Sequence, residues 1–140
     1  MRLPLIADVS MQTIEPKPQA LKRQRIAVIE DHDDGREALV IALQLLGHDV
    51  QAASSGEAGI ELVQRIQPDF VLVDIGLPDV DGYEVARVLR ARWGERMKLM
   101  ALTGYGQQAD RTRSSDAGFN AHLVKPVAPE DLLRLLSNVQ

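Results

Sequence analysis

Residues 28–34 read VIEDHDD: a short apolar run gives way to Glu30, Asp31, Asp33 and Asp34, with His32 among them. Further along, single polar residues close other apolar runs. Asp74 ends FVLVD, Thr103 ends KLMALT, and Lys125–Pro126 follow HLV. Taken one at a time these are helix caps, turns, strand ends and a surface lysine; the ordered set carries the chemistry. Clustered carboxylates repel, and the pKa of at least one must rise unless a cation neutralises them. Mg²⁺ is a hard ion that takes oxygen ligands and keeps some waters, with Mn²⁺ as an alternative. Asp31 and Asp74 could bind it directly, with Glu30 close by or acting through water. A carboxylate beside a metal and a lysine can attack phosphorus and form an aspartyl phosphate. Mg²⁺, the Lys125 ammonium and the Thr103 hydroxyl would then stabilise the added dianionic charge.

Those residues need elements to hold them. IAVIE (26–30), DVQAA (49–53), FVLVD (70–74), KLMALT (98–103) and NAHLV (120–124) read as strands, the second of them weaker. Between them lie helical patterns. The first is capped by Asp33 or Asp34, carries Ala38, Leu39, Ala42, Leu45 and Leu46 on its apolar side, and stops at Gly47. The second is capped by Ser54 or Ser55 and ends before Pro68. The third runs from Tyr83 to Trp93 and the fourth from Gln107 to Ala117, closed by Gly118. Pro129 opens a fifth, with Leu132, Leu133, Leu135 and Leu136 inward. Strands alternating with helices imply parallel pairing, right-handed crossovers and a sheet covered on both faces. In such a sheet ligands bind beyond the carboxyl ends of the strands, where these polar residues fall.

Composition narrows the class. The chain has 140 residues, 45% of them apolar, which is enough for one domain with a core. A net charge of −4 without a long basic run argues against nucleic-acid binding, and the absence of cysteine removes disulfides and thiol chemistry. No apolar stretch approaches membrane-spanning length, and MRLPLIADVS makes a poor signal peptide, so a cytoplasmic location is expected. Residues 10–25, with two prolines and a basic cluster, read as a linker. The division is therefore an N-terminal extension over 1–24 and a folded unit over 25–140.

VIEDHDD, FVLVDIGLPDVDGYE, ALTGYG and HLVKP, in that order, resemble the receiver domain of two-component response regulators. The resemblance implies a flavodoxin-like (βα)₅ fold, a doubly wound parallel sheet in the order 2-1-3-4-5. It makes Asp74 the phosphoacceptor, Glu30 and Asp31 the acidic pair at the metal, and Gly76 a backbone-carbonyl ligand. Thr103 becomes the switch hydroxyl, Lys125 the phosphate-binding lysine, and the Lys125–Pro126 bond cis. The donor would be a phosphohistidine on a histidine kinase or histidine phosphotransfer domain, and the chain a monomer or weak dimer. Such a domain is a regulatory phosphoacceptor rather than an enzyme for external substrates. Gly76 and Tyr105 depart from common relatives around the phosphoryl site. His122 stands where Tyr or Phe usually turns inward with Thr103, which suggests a weaker or pH-dependent switch. Arg111 and Arg113 are the charges on the face that relatives use for partners.

MRLPL resembles the closing strand of histidine-kinase ATPase domains, so the chain is expected to be the C-terminal receiver of a hybrid sensor kinase. A free-standing regulator is the other reading. A haloacid-dehalogenase phosphatase would want an acidic residue at position 76, which is Gly. A flavodoxin-type binding module would want a phosphate loop where EDHDD stands. A receiver-like scaffold that never takes a phosphoryl group is disfavoured by the intact Asp74, Thr103 and Lys125.

Overall fold

The computed structural model describes residues 22–104 and 111–138. The MRLPL stretch, the linker up to residue 21, Tyr105 and the Arg111 side chain lie outside the described residues. Five strands, β1 (Arg25–Ile29), β2 (Asp49–Ala53), β3 (Phe70–Asp74), β4 (Lys98–Thr103) and β5 (Ala121–Val124), form one parallel sheet in the order β2-β1-β3-β4-β5. The helices are α1 (Asp33–Leu45), α2 (Gly56–Ile66), α3 (Gly82–Trp93), α4 (Arg111–Ala117) and α5 (Pro129–Asn138), with a 3₁₀ turn at Gly94–Arg96. This is the doubly wound flavodoxin-like architecture that the sequence leads one to expect.

The sheet is apolar on both sides because helices cover both. Ala27, Ile29, Val71, Val73, Leu99 and Ala101 pack on one face with Leu62, Val63 and Ile66 of α2 and Val85, Ala86 and Leu89 of α3. Ile26, Val28, Phe70, Leu72, Met100 and Leu102 face Leu39 and Leu43 of α1 and Leu132 and Leu136 of α5. Each large apolar side chain so buried contributes roughly 1.5–3 kcal/mol relative to exposure. Every residue of β3 is buried, whereas β2, an edge strand, has none buried and only two partly so. That position explains its weak pattern.

Three expectations need correction. The residue preceding α1 is His32, which makes no side-chain cap; Asp33 and Asp34 sit inside the first turn, where carboxylates favour the helix dipole. In α1, Leu39 and Leu43 lie four residues apart and meet the sheet, while Ala38 is exposed and Leu45 is 82% exposed. In α5, Leu132 and Leu136 do the same, and Leu133, turned about 100° away on the helix, is exposed. Ser55 caps α2 as expected, accepting the Ala58 N–H.

Two contacts fix the β3–α3 connection. Gly82 opens α3 so close to the end of β3 that a Cβ there would stand 2.5 Å from the Asp74 carbonyl oxygen and from the Ile75 Cα. Asp79 reaches across to α2, where its carboxylate accepts the Gly56 and Glu57 N–H groups at 2.9 and 3.1 Å. The Gly56 N–H is the main reason its pKa is held below the usual carboxylate value. Asp79→Ala is expected to cost about 1 kcal/mol in urea unfolding at pH 7. A lowered folded-state pKa gives stability present above the unfolded value of about 3.9 and lost as pH falls through the folded value. The gap between parent and variant should therefore close on acidification below about pH 4; a gap that persists at pH 2 would reject the capping role.

Candidate functional site

Register brings the strand ends level. Ile29 pairs with Val73, Asp74 with Leu102, Leu102 with Leu123, and Thr103 with Val124. Glu30, Asp74, Thr103 and Lys125 thus leave the sheet at one edge.

Glu30 is fully buried and Asp74 is 3% exposed. Lys125 bridges them, its Nζ donating to Glu30 Oε1 at 2.9 Å and to Asp74 Oδ2 at 3.4 Å. The other oxygens are engaged as well. Glu30 Oε2 accepts the His32 N–H at 3.1 Å, and Asp74 Oδ1 accepts the Gly76 N–H at 2.8 Å. Burial pushes the Asp74 carboxyl up, but the Gly76 N–H, the Glu30 carboxyl and the Lys125 ammonium outweigh it and hold Asp74 below the usual carboxylate value. Asp74 is therefore ionised at neutral pH, the state in which a carboxylate can act as a nucleophile. Burial opposes the Lys125 charge too, yet Glu30 and Asp74 outweigh it and raise the lysine pKa.

Asp31 differs from its neighbours. Its Oδ1 is buried without a hydrogen-bond partner, an arrangement that costs roughly 1–3 kcal/mol. Glu30, Asp31, His32 and Asp74 each offer a ligand atom, all within 4.8 Å of one another. An orphaned carboxylate oxygen within a mostly oxygen donor set suits a hard divalent cation.

The remaining predicted residues lie around this centre. The Thr103 side chain is buried and its hydroxyl donates to the Leu123 carbonyl at 3.5 Å. His122 faces α4, its Nε2 lying 2.7 Å from the buried Ser114 Oγ. The Gly76 N–H holds Asp74, and the Lys125–Pro126 peptide is cis. Arg113 is no bare surface charge: its guanidinium pairs with Asp81 Oδ2 at 2.6 Å and lies 4.2 Å from the centroid of the Tyr83 ring. It thereby ties α4 to the residue that caps α3.

The sequence reading passed over Arg36, whose guanidinium donates to the Glu30 carbonyl at 3.0 Å and to Asp33 at 2.6 Å, clamping the acidic loop. An arginine one turn into a helix gives no signal of this at the sequence level. A cleft of about 380 Å³ opens beside the site, lined by Glu30 and Lys125 together with Ala38, Leu39, Ala42 and Pro126. No helix among the described residues is long and apolar enough to cross a membrane.

A doubly wound sheet with an acidic pair, a single aspartate, a threonine and a lysine on one edge defines a class. This chain belongs to the response regulator receiver domain family, whose profile it matches over residues 26–137. It is 34% identical over 119 residues to an uncharacterized 14.6 kDa protein of Leptolyngbya boryana, covering 84% of this chain and 91% of that one. It is 36% identical over 109 residues to the response regulator MprA of Mycobacterium leprae, covering 78% of this chain and 47% of the regulator. The chain thus spans about half the length of that relative. Among solved structures, the receiver domain of sensor histidine kinase PA1611 from Pseudomonas aeruginosa PAO1 is 32% identical, with a TM-score of 0.73. The match covers 82% of this chain and 95% of that one, and that structure has a magnesium ion coordinated in its active-site cleft.

Proposed function

We propose that this chain is the phosphoacceptor of a two-component phosphorelay, residues 25–140 forming the receiver unit. The observation that carries this reading is Asp74: an ionised carboxylate at a sheet edge, held between the Lys125 ammonium and the Gly76 N–H. One of its oxygens attacks the phosphorus of a phosphohistidine. The P–O bond forms as the P–N bond breaks, and the departing imidazole takes up a proton. Lys125 and the Thr103 hydroxyl receive the charge that builds on the phosphoryl oxygens. Glu30, Asp31, Asp74 and the Gly76 carbonyl are the residues that would hold Mg²⁺, which when bound supplies positive charge to offset the carboxylates and the phosphoryl oxygens. Thr103 shifting toward the phosphoryl group and His122 moving relative to Ser114 would convey the event to the α4–β5–α5 face. Thr103 ends β4 and His122 lies on its neighbour β5, opposite Ala101.

The cleft against α1 fits a partner helix carrying the donor histidine, from a histidine kinase or phosphotransfer domain. The likeness to the receiver of sensor histidine kinase PA1611 favours a hybrid kinase as the parent protein, and a cytoplasmic setting is part of the same reading. Incubation with acetyl phosphate, followed by intact-mass spectrometry, tests the central claim. The parent chain is expected to gain one phosphoryl group only when Mg²⁺ is present, and Asp74→Asn to gain none. Equal gain by Asp74→Asn would place the chemistry elsewhere. No gain either from acetyl phosphate or from a phosphorylated histidine phosphotransfer domain would leave the scaffold reading standing.

A further inference from the structure

We propose that His32 is a ligand of the divalent-cation site, giving this chain a nitrogen donor that favours ions such as Zn²⁺ and Co²⁺ over Mg²⁺. This rests on the reading of the acidic edge as a cation site and goes beyond it.

Four observations converge. First, His32 Nδ1 lies 3.3 Å from Glu30 Oε2 and 3.6 Å from Asp31 Oδ1. The latter is too long for a hydrogen bond. Ligand atoms each about 2.0–2.2 Å from one ion stand roughly 3–3.6 Å apart, so both distances suit neighbouring donors of a shared metal. Second, the atom facing the imidazole is the Asp31 oxygen that is buried without a partner. Third, the backbone sets the position of the ring: the His32 N–H is tied to Glu30 Oε2 at 3.1 Å, and the side chain is 75% exposed. It can therefore turn onto an ion without disturbing the core. Fourth, Lys125 holds the far oxygen of Glu30, Oε1, so Oε2, which accepts the His32 N–H and lies beside Nδ1, is the Glu30 oxygen on the His32 side.

Chemistry supplies the selectivity. Mg²⁺ demands oxygen ligands, whereas imidazole suits zinc, cobalt, nickel and copper. A nitrogen added to three carboxylates raises affinity for the second group and leaves the first almost unchanged.

Calorimetric titration of Mg²⁺, Zn²⁺ and Co²⁺ into the parent chain, His32→Ala and Asp31→Asn tests this, with the visible absorption of bound Co²⁺ as a second readout. His32→Ala is expected to weaken Zn²⁺ and Co²⁺ by about tenfold or more, to alter the Co²⁺ spectrum, and to keep Mg²⁺ within about twofold. Equal losses for all three ions would make His32 a support for Glu30 and overturn the proposal, as would no loss for any. Zn²⁺ binding that is unchanged in both His32→Ala and Asp31→Asn would place the ion away from this edge and overturn it as well. If Mg²⁺ fails to bind the parent chain or ignores Asp31→Asn, the underlying cation-site reading fails with it.

Discussion

Lys125→Met is expected to lose about 2–4 kcal/mol of stability at pH 7 and to slow phosphoryl uptake by about a hundredfold. Lys125 is the cation that neutralises two buried carboxylates, at 2.9 Å from Glu30 and 3.4 Å from Asp74. Removing one member of a buried ion pair leaves its partners charged and poorly solvated, a loss of about 3–5 kcal/mol when burial is complete. The lysine side chain is 24% exposed, which places the expectation below the top of that range. For a domain of this size it corresponds to roughly 10 °C in Tm.

The pH dependence identifies the cause. The raised lysine pKa gives stability fully present below the unfolded value of about 10.4 and lost as pH rises through the folded value. The lowered Asp74 pKa gives stability present above about 3.9 and lost as pH falls through its folded value. Parent and variant should therefore differ most between about pH 5 and 10 and converge at either extreme. Millimolar Mg²⁺ should restore part of the variant's loss, because it supplies the missing positive charge. Thermal melts across pH 3 to 11, with and without Mg²⁺, measure all of this. Melting curves offset by a constant amount at every pH would mean that packing, not charge, is what Lys125 provides.

Arg90→Ala is expected to cost about 3 kcal/mol while leaving phosphoryl uptake of the folded chain intact. Its guanidinium donates to the Gly118, Gly94 and Met97 carbonyls at 2.9, 2.8 and 2.7 Å and to Asn120 Oδ1 at 2.7 Å. The same Asn120 oxygen accepts the Leu99 N–H at 2.8 Å. One side chain thus joins the end of α3, the start of β4, the end of α4 and the approach to β5. Truncation takes this donor from the part-buried bonds to the Gly118 and Met97 carbonyls, each costing about 1 kcal/mol or more, and from the exposed Gly94 carbonyl, while Asn120 Oδ1 keeps the Leu99 N–H. These contacts gather at the amino ends of the strands, across the sheet from Asp74, so urea midpoint and phosphoryl uptake should separate. Arg90→Lys should recover little, since one ammonium cannot span the fork. A variant that unfolds at the parent's urea concentration would show that the network contributes nothing net.

The sequence by itself determined the number and type of elements and which of them end in reactive groups. Apolar runs of five or six residues, separated by helical periods, have few ways to be buried other than in a parallel sheet covered on both faces. Alternation alone does not dictate the order of the strands; the resemblance carried by the motifs did that. Asp74, Thr103 and Lys125 were legible because a strand's end is a local property, set where apolar residues stop.

What each side chain meets there is not local. Lys125 and Glu30 are 95 positions apart, Arg113 and Asp81 are 32 apart, and Arg90 and Asn120 are 30 apart. Arg90, Arg113 and Lys125 look alike on a helix or strand pattern, since each has a long, flexible stem and a charged tip. One stabilises the amino edge, one holds α4 against α3, and one neutralises the site. The tertiary structure decided among these roles, because the helices that present the arginines and the connections that present their acceptors come within reach only once the sheet has closed in register. The same packing left one oxygen of Asp31 without a donor and set His32 beside it. The heptapeptide VIEDHDD brings these residues near one another in the chain, but only the burial of Glu30 and Asp74 around Lys125 settles which carboxylate oxygens have a donor and which one does not.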